Sequence, residues 1–168
     1  MAEPSPSQIV LLVVGAHLTG QPLNHQLTDL GATFLREAHT AACYRFYALD
    51  TTPPKPGLVR VHHTDHGAAS LEGEMWSLST AAFGQLVDAV PSPLVIGRVR
   101  LRPNGTSRTA GGADTARGNN EVDEVDEGAW VAGFLCEPIA LEGATDITAF
   151  GGWRAYLARG KRTGTMSA

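Results

Sequence analysis

The stretch Ile9-Val10-Leu11-Leu12-Val13-Val14-Gly15-Ala16-His17-Leu18-Thr19-Gly20-Gln21-Pro22-Leu23-Asn24-His25-Gln26-Leu27 decides how this chain is read. Ile9 to Ala16 is a continuous apolar run, the pattern of a strand buried on both faces rather than one. Gly15 ends the strand, and His17 stands in the turn behind it. Upstream, Pro4 and Pro6 mark residues 1–8 as a frayed tail. The apolar run is too short to span a bilayer and has no basic residue ahead of it, so no membrane segment or targeting peptide is expected and a cytoplasmic protein is.

Downstream, strand candidates rich in β-branched and aromatic residues follow at Thr33 to Arg36, Tyr44 to Leu49, Leu58 to His62 and Leu71 to Ser77. Between two of them, Thr51 to Gly57 carries Pro53, Pro54 and Pro56 and reads as a stiff loop. Ser79 is placed to cap a helix from Thr80 to Val90, with Phe83, Leu86, Val87 and Val90 on one face and Pro91 as the stop. Strands at Leu94 to Leu101 and Trp130 to Cys136 flank Pro103 to Gly128, a polar and acidic insert expected to be a disordered hairpin tip. Asp146 to Leu157 places Ile147, Phe150, Trp153 and Leu157 at helical spacing, and the pair Gly151-Gly152 inside it signals a close approach. The elements predict one α+β domain over residues 9–158, a small mixed sheet curled towards a barrel with a middle helix and a C-terminal helix, followed by a flexible tail over 159–168.

Composition bounds the function. With 168 residues, 43% of them hydrophobic and 18% charged, the chain has the balance of a folded globular protein. Its net charge is −4 and its 13 basic residues form no run, which leaves nothing to neutralise a phosphate backbone and excludes nucleic acid as a partner. Cys43 and Cys136 lie in apolar segments and read as unpaired core thiols.

The stretch from Val14 to Leu27, with its Gly-Ala-His-Leu, Leu-Asn and Gln-Leu elements, resembles the opening of the allophanate hydrolase C-terminal domain family. Tyr44-Arg45-Phe46-Tyr47-Ala48-Leu49, Pro54-Lys55-Pro56-Gly57-Leu58, Glu72-Gly73-Glu74-Met75-Trp76, Gly133-Phe134-Leu135-Cys136-Glu137 and Asp146 to Leu157 extend the resemblance in order over most of Ile9 to Ala158. The insert at Pro103 to Gly128 departs from it, where the family would have a short turn. The resemblance implies a γ-glutamylcyclotransferase-like fold, in which a strand ends in a tight loop whose backbone N–H groups hold a substrate carboxylate. Gly15, Ala16, His17 and Leu18 take that place. Those cyclotransferases also use a glutamate just before a glycine at the end of the middle helix, where this chain reads Asp88-Ala89-Val90-Pro91, so their acid/base residue is missing.

Allophanate itself is cleaved by an amidase with a glycine- and serine-rich signature, and no segment here resembles one. What the resemblance implies for this freestanding domain is the following step in urea and allophanate metabolism, decarboxylation of N-carboxycarbamate, by a lyase that needs no metal or organic cofactor. It also implies a small anionic substrate, an amidase partner and a homodimer. Two alternatives stay open: a cyclase or isomerase of another, biosynthetic pathway on the same scaffold, and a non-catalytic module that binds an amidase.

Loss of CO2 from nitrogen requires a proton on the leaving nitrogen and donors that offset a dianion. His17 is the candidate proton donor, since an imidazole titrates near neutrality, although a plain turn histidine is the alternative. Backbone N–H groups of Gly15, Ala16, His17 and Leu18, with the side chains of Asn24 and Gln26, are candidates for orienting oxygens. Arg45 offers a bidentate fork and Lys55 a point charge, or both are simply solvated. Tyr44 and Glu74 complete the expected substrate-binding set. Glu72 and Glu74 share a sheet face, either inward as paired carboxylates or outward in water. The cluster His62-His63-Thr64-Asp65-His66 invites a metal reading, but adjacent histidines in extended chain face opposite ways and no matching ligands follow, so no metal is expected.

Overall fold

The computed structural model describes residues 7–103 and 128–162. The expected hairpin tip and nearly all of the N-terminal tail lie outside the described residues. In chain order the elements are β1 (Gln8–Val13), α1 (Asn24–Asp29), β2 (Thr33–His39), β3 (Tyr44–Leu49), β4 (Lys55–Arg60), β5 (Glu72–Ser79), α2 (Thr80–Asp88), β6 (Leu94–Arg100), β7 (Trp130–Cys136), β8 (Thr145–Asp146) and α3 (Trp153–Arg162), with 3-10 turns at Pro138–Leu141 and Thr148–Phe150.

The uniformly apolar β1 takes the one position that rewards it, the middle of a five-stranded sheet of order β2-β5-β1-β7-β6. Leu11, Leu12 and Val13 are buried on both faces. β1 runs antiparallel to β5 and parallel to β7, with Leu12 opposite Gly133. The far edges curl together at one end: Thr40 bridges Leu101, and the Arg102 N–H donates to the His39 carbonyl at 2.9 Å. The result is a curled, unclosed α+β sheet. A second sheet of order β4-β3-β8 packs beside it. Alternation along β3 sends Tyr44 and Phe46 fully inside, and the Tyr44 hydroxyl accepts the Arg100 N–H at 2.8 Å, joining the two sheets.

Four local expectations change. The Pro-rich segment is a loop only as far as Pro54; Lys55, Pro56 and Gly57 pair with Leu49, Ala48 and Tyr47, which suits proline because β4 is an edge strand. The expected helix from Asp146 to Leu157 is a two-residue strand, a 3-10 turn, then a break at Gly151 with φ 74°, and only then α3, which runs to Arg162 into the expected tail. The Asp146 carboxylate, just ahead of the 3-10 turn, accepts the Thr148 N–H at 2.9 Å. On α2, capped as expected by Ser79 Oγ, Val87 is exposed, and the inward face is Ala82, Phe83, Leu86 and Val90. α1 was not anticipated, although Leu23, Leu27 and Leu30 carry helical spacing. Both cysteines are unpaired. Among the described residues no helix is long and apolar enough to cross a membrane.

Glu74 pins the loop after β1. It is 3% exposed, facing inward, and its carboxylate accepts four hydrogen bonds: from the Thr19 N–H at 2.9 Å, the Thr19 hydroxyl at 3.0 Å, Trp76 Nε1 at 3.1 Å and Arg154 Nη2 at 2.6 Å. Arg154, on α3, also donates to the Thr19 carbonyl at 2.9 Å and to Glu72 at 3.3 Å. Burial pushes the Glu74 carboxyl up, but the donors from Arg154, Thr19 and Trp76 outweigh it and hold the group below its ordinary 4.5. Both readings are thus corrected for Glu74: it is neither outward in water nor one of a pair with a raised pKa, but inward and ionised beside an arginine.

Two outcomes follow for stability. A Cβ at Gly73 would meet the Val13 carbonyl at 2.7 Å, a backbone atom that cannot yield unless β5 leaves β1, so G73A is expected to lose about 1–3 kcal/mol in urea unfolding. For Glu74 the folded value is depressed, so its contribution is fully present above pH 4.5 and is lost as pH falls through the folded value. E74Q is expected to cost about 2–4 kcal/mol near neutrality and to flatten the decline of the urea midpoint below pH 4.5.

Candidate active site

Where β1 ends, its chain makes a tight turn, closed by the Leu18 N–H on the Gly15 carbonyl at 3.0 Å. A Cβ at Gly15 would lie 2.0 Å from Pro56 Cγ, so only glycine lets β4 approach. The central residues of the turn, Ala16 and His17, donate their N–H groups to no acceptor among the described residues. Asn24 Nδ2 donates to the His17 carbonyl at 2.9 Å, and the Leu23 N–H donates to the Ala16 carbonyl at 2.9 Å, which fixes the turn from the α1 side.

His17 is 8% exposed and stacks on Phe134 of β7, with ring centroids 4.7 Å apart and an interplanar angle of 13°. Its Nε2 pairs with Gln26 Oε1 at 2.9 Å, and with that oxygen as acceptor Nε2 carries the hydrogen. Nδ1 has no protein partner, yet no buried side-chain nitrogen among the described residues is left without one, so Nδ1 reaches open space. Burial lowers the imidazole below its ordinary 6.5; the Gln26 bond opposes this, and the charges of Lys55 and His25 add to it.

His17 also lines a cleft with two adjoining lobes. A small niche of about 20 Å³ is walled by the Val14 to His17 turn with Leu23, Lys55, Pro56, Leu94 and Phe134. A larger lobe of about 160 Å³ shares His17, Leu23, Lys55, Leu94 and Phe134 and adds residues of α2 and its exit, Leu86 and Ala89 to Pro91, together with Gln26 and Pro53. No carboxylate lines either lobe, and Lys55 has no ion-pair partner among the described residues. A buried imidazole, a lysine and two uncommitted amides make a surface that favours an anion.

Of the expected residues, the fold brings Gly15, Ala16, His17, Gln26 and Lys55 to this cleft. Asn24 supports the turn from behind. Leu18 is buried and its N–H is consumed within the turn. Tyr44 is buried between the sheets. Arg45 lies on the outer face of β3, tied to Asp65 at 3.2 Å, to Asp146 at 3.3 Å and to the His66 carbonyl. Glu74 faces the opposite side of the turn through Thr19. The His62 and His63 rings, expected to diverge, lie 4.5 Å apart because residues 61–68 follow turns and not a strand. Among the described residues no three metal-ligating side chains converge.

The reading of the sequence missed Leu23, Pro56, Leu86, Val90, Leu94 and Phe134 as cleft walls. Leu23, Leu86 and Val90 had a local signal, the helical spacing of α1 and α2; Phe134 meets His17 because β7 pairs parallel with β1 from far along the chain.

Comparison with known proteins places this geometry. Residues 9–123 and 117–158 match the model of the allophanate hydrolase C-terminal domain. The chain is 36% identical over 159 residues to the urea amidolyase of Saccharomyces cerevisiae, covering 92% of this chain and 7% of that protein. It superposes on Kluyveromyces lactis allophanate hydrolase with a TM-score of 0.71 at 35% identity, covering 91% of this chain and 21% of that one. A uropathogenic E. coli-specific protein gives a TM-score of 0.68 at 29% identity, covering 90% of this chain and 97% of that one. A gamma-glutamyl cyclotransferase, at 8% identity and a TM-score of 0.53, shares the fold alone. The chain thus spans a small part of the curated relatives it matches, and from the strand that carries His17 to the helix that carries Arg154 it belongs to the allophanate hydrolase C-terminal domain family.

Proposed function

We propose that this chain is a cofactor-independent lyase that removes CO2 from N-carboxycarbamate, or a related carboxylated nitrogen compound, in urea and allophanate metabolism. The observation that carries the reading is His17, buried in the wall of a cleft that Lys55 also lines, with its Nδ1 left without a protein partner. One carboxylate of the dianion sits against the Ala16 and His17 amides, and Lys55 offsets charge. The N–C bond breaks, its electron pair stays on nitrogen, CO2 leaves, and the His17 imidazolium gives its Nδ1 proton to that nitrogen. Carbamate and a neutral imidazole remain. The cleft wall at Ala89 to Pro91 carries no acid, which weighs against cyclisation by a glutamate at that place. The names of the relatives, urea amidolyase and allophanate hydrolase, support an amidase as the partner that supplies the substrate. A cytoplasmic homodimer is part of the same reading.

The test generates N-carboxycarbamate in situ with an allophanate-cleaving amidase and follows CO2 release by stopped flow. The chain should exceed the buffer rate, H17A should lose the excess, and K55Q should raise KM. Equal rates with and without the chain would remove the proposal. The protonated ring is the donor, so kcat/KM should be flat below the folded His17 value and fall as pH rises through it, beneath 6.5. A bound dianion favours imidazolium, so kcat should fall at a higher pH than kcat/KM.

A further inference from the structure

The two lobes differ in chemistry. The small niche of about 20 Å³ has room for one water-sized group, such as a carboxylate oxygen. The larger lobe of about 160 Å³ compares with apolar cavities of roughly 150 Å³ that accept benzene. Its side-chain polarity is confined to His17, Gln26 and Lys55, and the remaining wall is hydrocarbon, chiefly Leu23, Leu86, Val90, Leu94 and Phe134. N-carboxycarbamate has no hydrocarbon with which to cover that wall. Resting on the anion-site reading above, we infer that the cleft binds carboxylates bearing a compact apolar arm of about six carbons, with the head at the Ala16-His17 turn and Lys55 and the arm along Leu86, Val90 and Phe134.

Apolar surface removed from water favours binding in proportion to its area. Lys55 and His17 belong to the lining that both lobes share, whereas Leu86 and Val90 line the larger lobe alone. That asymmetry orients the ligand. A purely polar dianion would leave the hydrocarbon of the larger lobe wetted; a neutral hydrocarbon would leave Lys55 without a counter-charge.

The experiment titrates the full chain with acetate, butanoate and hexanoate, and with neutral hexanamide, following the His17 imidazole signals by NMR. Affinity should rise about threefold to fourfold for each methylene, and hexanamide should bind at least tenfold more weakly than hexanoate. V90S should shrink the gain per methylene, and K55Q should weaken all the acids by one common factor. Equal affinity from acetate to hexanoate overturns the apolar arm while leaving the anion site standing. Hexanamide binding as tightly as hexanoate overturns the anion-site reading itself, and so does absence of binding by every acid. The wild-type series decides the matter even if V90S fails to fold.

Discussion

A carboxylate buried to 3% exposure has to be compensated on the spot, and the way Glu74 is compensated organises the molecule around the site. Its donors come from three separated parts of the chain: Trp76 on the same strand, Thr19 in the loop after β1, and Arg154 on the last helix. Strand, loop and helix are thereby fixed relative to one another by a charged centre in which every bond is directional. The loop so held is the continuation of the turn that carries His17. The approach of β5 to β1 through Gly73 and of β4 to the turn through Gly15 supplies the close contacts that make the arrangement rigid.

The cleft is a product of strand order. β1 stops short between β5 and β7, so the ends of neighbouring strands, the edge strand β4 and the exit of α2 enclose the space just past its last residue. Phe134 gives the imidazole an apolar face, Gln26 holds one ring nitrogen, and the other has no protein partner. Burial makes the His17 ring hold its proton loosely. On the proposed reading, an anion beside Lys55 would supply the counter-charge that tightens it, so that ligand charge and ring protonation would be linked.

Within the family the framework is shared with relatives of very different length, from a solved E. coli-specific protein that it covers almost completely to urea amidolyases of which it covers 7%. One scaffold hosts many chemistries. Here the lining of the larger lobe sets Lys55, His17 and Gln26 among hydrocarbon side chains.

Taken alone, the sequence determined the features that are local: the doubly buried β1, the Gly-Ala-His turn, the alternation in β3, the Ser79 cap and the α+β class with its family. These depend on apolar period, on β-branching and on turn and cap residues, all of which act over a few positions. Tertiary structure alone decided which charged groups face the cleft. Arg45 and Lys55 look alike as isolated cations, yet Arg45 is consumed by Asp65 and Asp146, 20 and 101 residues away, while Lys55 is delivered to the cavity by the edge strand. Glu74 read as either a solvated carboxylate or one of an inward pair in the substrate-binding set until α3 folded Arg154 onto it from 80 residues along the chain. Phe134 became a site residue only through a parallel pairing that no short window contains. Burial, and with it the price of a charge, is set by contacts between distant segments, and so the site's electrostatics had to wait for the fold.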